Sequence, residues 1–416
     1  MISAFQIPSL RLMGWLTLAL VPASATQAAE AADVDGGARM LAIEVGKLLA
    51  LDDEDHVYQP GMVWLESGKI TYVGAPRELP DGMDVRRYPK AWACPGLVDL
   101  HTHIHSGGFT DINDMVLAVN PGLRVGPSVR PDNILLRRAC VSGVTTLFGI
   151  PGSGTNISGF GILYKAKGDP SYESTVFADP GGMKVAQDSN PQRRSGDVGS
   201  TRAGMAWILE YTNRRAINAN EEDRFDLALE NLKKVHTKEL PVLIHTAGSE
   251  GVVNTARMWR STFDTRSVLS HGSFDGWKAA KAVAEYGMPV NHGPRTTDYP
   301  WARNGRLNGT SAEYVAAGVP LFSLNTDSGV IPQEEFFIQA AMSARYGADP
   351  YLMLRAMTIH PAKAFGIDDR VGSLEVGKDA DIVLRNGDPL DPRAVIELVL
   401  IDGLIEYDRA RDGHLF

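Results

Sequence analysis

Short apolar runs alternate with amphipathic stretches through the middle of the chain. Leu97–Leu100, Thr145–Ile150, Pro241–His245, Ser267–Ser270, Met288–Asn291 and Pro320–Leu324 are apolar runs of strand length. Between them, Pro131–Ser142, Ala203–Ala216, Glu221–Leu240, Gly276–Tyr286, Ser311–Ala317 and Glu334–Tyr346 read as helices. Strands that alternate with helices imply a parallel sheet. About 270 residues of this pattern suit one eight-fold barrel better than two doubly wound domains. Both ends differ. Met40–Ala50, Gly61–Ser67 and Lys69–Gly74 are β-type segments parted by turn signals such as Ser67-Gly68. Near the other end, Ile382–Leu384 is followed by Val395–Ile401, Asp402-Gly403 and Leu404–Tyr407, which read as a hairpin with an Asp-Gly turn. The expected fold is α/β: a TIM-like (β/α)8 barrel over 96–366, with a small β-sandwich domain built from both termini, 40–95 and 367–416.

The first residues stand apart. Arg11, the apolar stretch Leu12–Leu20 and the small residues Ala23, Ala25, Ala28 and Ala29 have the layout of a secretory signal. The apolar stretch is too short to cross ~30 Å of hydrocarbon. Residues 1–28 are therefore expected to be removed, leaving an exported, periplasmic or secreted protein with no stable membrane span. The full chain has 416 residues, a formal net charge of −9 and 44% hydrophobic residues. That composition excludes a disordered chain, and the acidity argues against a nucleic-acid partner. Two cysteines exclude a disulfide-stapled scaffold and a zinc ribbon. Cys94 and Cys140 lie in apolar surroundings and read as buried free thiols.

Ten histidines are unremarkable as a number; their placement is informative. Leu97-Val98-Asp99-Leu100-His101-Thr102-His103 is an apolar strand ending in H-x-H. Residues two apart on a strand share a side, so His101 and His103 project together. The C-terminal mouth of a barrel strand is where such folds keep their active sites. Val242–His245 and Val268–His271 also end apolar strands in histidine, and Phe322–Asp327 ends one in a carboxylate. In a closed barrel these four ends converge, and their side chains suit a divalent metal.

PGLVDLHTH, the two later strand-end histidines and SLNTD resemble the amidohydrolase superfamily. The run His360–Gly366 followed by GSLEVGKDADIVL resembles the same family's return to its small β-domain. GSGTNISGFGILYK and GGMKVAQDSNPQR are similar to a branch related to imidazolonepropionase and metal-dependent dipeptidases. The resemblance implies that His101, His103, His245, His271 and Asp327 are metal ligands, with one or two divalent ions, zinc expected. It also implies Lys184 as a bridging ligand after carbamylation, since an ammonium group has no lone pair whereas a carbamate offers two oxygens. Related sequences carry a glutamate in a G-E-N-P stretch where this chain has Asp188-Ser189-Asn190-Pro191.

The expected activity is a metal-dependent hydrolase cleaving a C–N amide-type bond in a peptide, N-acyl amino acid or cyclic amide by a metal-activated hydroxide. Asp327 would act as general base and then acid, and His271 would polarise the carbonyl if one ion is bound. The substrate is a small molecule or short peptide, and the resemblance allows a homo-oligomer. Lactone, ester or phosphoester hydrolysis and deamination use the same kind of site, and a non-catalytic metal-binding protein is the alternative from another class. His292 and Arg295 follow a further apolar run and are expected to contact substrate, Arg295 being favoured over Arg193, Arg194 and Arg202 as a carboxylate fork. His105 reads as a loop or supporting residue, His360 as packing under the barrel, and His56, His236 and His414 as surface. Glycine-rich Gly152–Gly159 reads as a flexible active-site loop, since it lacks the Lys-Ser/Thr ending of a phosphate loop.

Overall fold

The structure, a computed structural model, describes residues 40–414 apart from 110, 170, 197, 220–224 and 299–306. The expected signal segment lies outside the described residues. The strands in chain order are β1 Leu41–Leu49, β2 Val57–Tyr58, β3 Gly61–Glu66, β4 Lys69–Gly74, β5 Asp84–Pro95, β6 Leu97–Thr102, β7 Val144–Gly149, β8 Ile157–Lys165 and β9 Val176–Ala186. They continue as β10 Val242–Ala247, β11 Ser267–Ser273, β12 Val290–His292, β13 Thr297–Asp298, β14 Asn308–Gly309, β15 Ser323–Leu324, β16 Ile382–Arg385, β17 Ile396–Ile401 and β18 Leu404–Asp408.

Eight strands form the barrel sheet in the order β15-β12-β11-β10-β9-β8-β7-β6. Its two ends meet where Thr102 bridges Ser328 in parallel and the His103 N–H donates to the Ser328 carbonyl at 2.5 Å. β6 and β7 are buried at every position, as strands covered on both faces must be. Phe148 and Phe365 meet edge to face at 4.8 Å, part of the apolar cluster that also holds Val98, Leu100, Leu243 and Val268.

One strand departs from the expected all-parallel barrel. β8 is antiparallel to both β7 and β9. The cause is connection length: only residues 150–156 and 166–175 separate these strands, and a parallel crossover needs a dozen or more. β8 and β9 also hide from sequence periodicity because Gly159, Gly161, Gly181 and Gly182 interrupt them. A side chain on Gly161 would sit 2.4 Å from the Gly149 carbonyl oxygen, so close strand packing demands glycine there. The Gly152–Gly159 reading is corrected accordingly: Thr155–Ser158 are buried, and Ile157 already begins β8.

The helices follow the predicted stretches closely. Asn133 caps Ile134–Val141 by accepting from the Leu135 and Leu136 N–H groups. Thr201 caps Arg202–Asn218, and Asp226 caps Leu227–His236. No helix among the described residues is long and apolar enough to cross a membrane.

Strands from the two ends of the chain make one further sheet, ordered β18-β17-β16-β5-β1-β3-β4, with β2 on β1. β16 joins the halves by pairing antiparallel with β5, Val383 opposite Cys94. A buried ionic cluster links this sheet to the barrel. Lys165 Nζ, at the end of β8, lies 2.7 Å from Asp381 Oδ2, 3.1 Å from Asp379 Oδ2 and 3.5 Å from Asp402 Oδ1. Cys94 and Cys140 are buried and free; burial pushes both thiols up to about 12, which leaves them unreactive.

Candidate metal centre

The expected strand-end residues come together. His101 and His103 leave the end of β6, Lys184 lies in β9, His245 in β10, His271 in β11, and Asp327 follows β15. Register aligns them: Lys184 pairs with Leu243, His245 with Ala186 and Ser270, and His271 with Thr246 and His292. Ring centroids are 4.4 Å apart for His101 and His271, 4.5 Å for His245 and His271, and 5.3 Å for His101 and His103. Asp327 Oδ1 is 3.4 Å from His101 Nε2 and 3.2 Å from His103 Nε2. Asp327 Oδ2 is 4.0 Å from His271 Nε2.

Hydrogen bonds behind the rings fix which nitrogen faces inward. His103 Nδ1 donates to the Ile150 carbonyl at 3.0 Å, and His271 Nδ1 donates to the Gly293 carbonyl at 2.6 Å. A carbonyl only accepts, so each Nδ1 carries the proton and each Nε2 keeps its lone pair. His101 Nδ1 pairs with Ser270 Oγ at 2.7 Å. Burial, reinforced by Lys184 and the neighbouring rings, holds His101 well below the ordinary imidazole value. The same applies to His245, where burial is followed by His271 and Lys184. The site therefore presents neutral imidazoles and one carboxylate, all electron-pair donors.

This donor set fits a divalent ion. His271 Nε2 is buried without a hydrogen-bond partner, a costly state for a polar atom. The acceptors of His103 and Asp327 face each other with no proton to share. One ligand atom each from His101, His271 and Asp327 fall within 4.8 Å of one another, the span of a single coordination sphere. His271 and Asp327 also hold left-handed backbone angles, φ 70° and 48°, strain of the kind that persists where a site needs a side chain re-aimed.

Lys184 is fully buried, with Nζ 3.2 Å from His101 Nε2. Burial lowers its amine to about 7 against the opposing pull of Asp327. Asp188 pairs with Arg202 at 3.5 Å.

One supporting residue was not picked out from the sequence. Asp99 lies two residues before His101, fully buried, and accepts from the His101 N–H at 3.0 Å, Thr326 Oγ1 at 2.5 Å and Gln333 Nε2 at 3.1 Å. It therefore ties the H-x-H strand to the residue before Asp327. Its signal was present: an acid at two-residue spacing from the histidines, inside an apolar strand.

The expected substrate contacts need correction. His292 is fully buried with both ring nitrogens engaged: Nδ1 donates to the His271 carbonyl at 2.5 Å, and Nε2 accepts from Thr310 Oγ1 at 2.7 Å. It braces His271 and has no free nitrogen for substrate. Arg295 is exposed, its guanidinium 5.2 Å from the Phe274 ring centre. Arg193 differs from it in burial. It is half-buried, Nη1 donates to the Val116 carbonyl at 3.1 Å, and Nη2 is buried without a partner. His271 Nδ1 faces the Gly293 carbonyl, which directs its Nε2, as a lone-pair donor, toward the centre.

Of the other histidines, His105 keeps both ring nitrogens buried without a partner. His105 sits in a short turn after His103, fully buried and lowered to about 3 by burial. His360 Nδ1 donates to the Phe322 carbonyl at 2.9 Å, as expected of a residue packing under the barrel. His56 and His414 are exposed. His236 is half-buried, bonded to Asn213 Oδ1 at 3.0 Å and set against Phe263, so it is less of a surface residue than expected.

Residues 195–405 match the sequence profile of the amidohydrolase family. The chain is 24% identical over 416 aligned positions to the amidohydrolase tasK of Hapsidospora irregularis, covering 86% of this chain and 41% of that protein. It therefore spans less than half of that relative's length. It is 24% identical to the imidazolonepropionase of Aromatoleum aromaticum, covering 81% of this chain and 88% of the relative. Among solved structures, an amidohydrolase from Thermotoga maritima superposes with a TM-score of 0.79 at 29% identity, covering 89% of this chain and all of the other.

Proposed function

The chain belongs to the amidohydrolase family, and from that premise we propose a metal-dependent hydrolase that cleaves a C–N amide-type bond in a peptide, N-acyl amino acid or cyclic amide. The observation that carries the reading is the convergence of inward Nε2 lone pairs with the Asp327 carboxylate and the buried Lys184 amine. His101, His103, His245, His271 and Asp327 would hold one or two divalent ions, zinc being our choice for imidazole-rich donors. Such an ion, when bound, polarises a carbonyl and brings a water molecule's pKa toward neutrality.

The chain's own residues do the rest. Asp327 accepts the proton of the attacking water and returns it to the leaving nitrogen. It faces the centre and is held there through Thr326 and Asp99. Lys184 is our candidate for a carbamate ligand, because a buried amine near neutrality spends much of its time unprotonated and able to react with carbon dioxide. Arg193, with one guanidinium nitrogen unsatisfied, is offered for a substrate carboxylate, and Arg295 for a contact at the rim. We take the sheet over 40–95 and 367–416 as the composite β-sandwich domain beside a barrel over 96–366, supported by its own apolar cluster of Ile43, Val63, Ala93, Ile382 and Leu400. Export of the protein is proposed from the composition of its first residues alone.

The test is metal analysis of the purified protein together with a screen of dipeptides, N-acyl amino acids and cyclic amides. Hydrolysis of at least one class is expected, lost in Asp327→Asn and accompanied by metal loss in His101→Ala. Full turnover in both variants on a confirmed substrate would overturn the assignment.

A further inference from the structure

A cavity of about 210 Å³ lies away from the metal centre, where the helix Phe336–Arg345 meets the end of β16 and the segment around Tyr407 and Arg409. Glu334, Phe337, Ile338, Arg385, Arg409 and His414 are among its walls. It is smaller than a typical drug-sized pocket, about 300–1,000 Å³, so its occupant is small.

Arg385 is 5% exposed. Its Nη1 donates to the Pro389 carbonyl at 3.0 Å and its Nη2 to the Ala394 carbonyl. Its face lies 4.0 Å from the centre of the Phe337 ring, and Nε has no partner. Among the described residues no carboxylate lies within ion-pair distance. A guanidinium remains charged at neutral pH, so Arg385 is a buried cation whose hydrogen-bond acceptors are neutral carbonyls, with Asp388 and Asp391 acting on it only from beyond ion-pair distance, a state that low dielectric makes unfavourable. Arg409 adds a second basic group to the lining. Glu334, also on the lining, accepts from Arg138 at 2.5 Å through Oε1, while its Oε2 is buried without a partner. The cavity thus offers an unsatisfied donor and an unsatisfied acceptor of opposite charge, beside the apolar side chains of Phe337 and Ile338.

We propose that this cavity binds a free α-amino acid with an apolar side chain. The carboxylate meets Arg385 Nε and Arg409, the ammonium meets Glu334 Oε2, and the side chain lies against Phe337 and Ile338. A simple anion leaves Glu334 Oε2 without a donor, and a simple cation leaves Arg385 Nε without an acceptor; the zwitterion satisfies both atoms. The assignment does not depend on the reaction at the metal centre. The cavity nevertheless adjoins its scaffold, since Gln333, next to Glu334, donates to Asp99 Oδ2 at 3.1 Å.

The experiment is isothermal titration calorimetry of the metal-free full chain with L-valine, L-leucine and L-phenylalanine. L-leucinamide, which lacks the carboxylate, and 4-methylpentanoate, which lacks the ammonium, serve as partial ligands. Saturable binding of at least one amino acid is expected, with each partial ligand weaker by about tenfold or more, the loss of one charge-assisted bond. Glu334→Gln and Arg409→Met should each weaken amino-acid binding by about tenfold. Ile338→Trp, which fills the cavity from a half-exposed position, should abolish binding while circular dichroism and turnover stay unchanged. Undiminished binding in Ile338→Trp would put the ligand elsewhere and overturn the proposal. So would equal affinity for leucine and leucinamide, or no saturable heat with any of the three amino acids.

Discussion

Lys184 gives the prediction with the clearest arithmetic. Its amine is fully buried and lowered from an ordinary 10.5 to about 7, burial being the main cause and Asp327 opposing it. At about 1.36 kcal/mol per unit, that shift is worth about 5 kcal/mol. For a base whose folded pKa is depressed, the unfolded chain binds the proton more readily between the two values. Stability of the metal-free protein should therefore rise with pH from about 7 to about 10.5, and the penalty should be full below that window. Lys184→Met removes the titrating group. The stability difference between variant and wild type, measured by urea unfolding of chelator-treated protein, should shrink by about 4 kcal/mol between pH 7 and pH 10.5. The same shift makes the amine reactive: at pH 8 about 90% is unprotonated, against about 0.3% of an ordinary lysine. Carbon-13 NMR under constant ¹³CO₂ pressure should show a carbamate signal that grows through pH 7 and is missing in Lys184→Met. A pH-independent stability difference, together with a carbamate signal that is absent or emerges only above pH 9, would refute the reasoning.

Other outcomes follow from the same geometry. His271→Ala removes an inward lone pair and should lower metal content in elemental analysis, with kcat/KM falling by about 10³ or more. Asp99→Ala strands the donors of His101, Thr326 and Gln333; metal affinity should drop about 10–100-fold in competition with a chelator, with some loss of thermal stability. Lys165→Met leaves Asp379 with Lys69 and Arg370, and Asp402 with Lys167, but takes away the cation of Asp381. It should cost about 3 kcal/mol in urea unfolding without changing metal stoichiometry, and adding Asp381→Asn should recover part of that loss. Arg193→Met should raise KM for an N-acyl amino acid by about tenfold or more while leaving its carboxamide nearly unaffected.

Much of the metal centre was legible because strand geometry repeats every two residues. His101 in β6 and His103 just past its end lie two residues apart, so their pairing was readable without tertiary knowledge. The single ligands of β10, β11 and the segment after β15 were recognisable from apolar strands that end in a metal-type side chain. β8 was not, because its glycines erase the hydrophobic signal and its direction depends on the lengths of two connections. Arg295 and Arg193 were indistinguishable as residue types. The fold leaves one on the surface over Phe274 and buries a nitrogen of the other.

The sequence by itself determined the donor types, their order along the chain and the strand ends that carry them, since local periodicity decides which side chains share a face. Only the tertiary structure decided what each ring nitrogen does. His292 and His271 look alike in sequence, each a histidine ending an apolar run. Neighbouring-strand register gives His271 a carbonyl on one side and an open centre on the other, whereas His292 has partners on both. A proton's position on imidazole is set by the group facing it, and that group comes from a distant part of the chain.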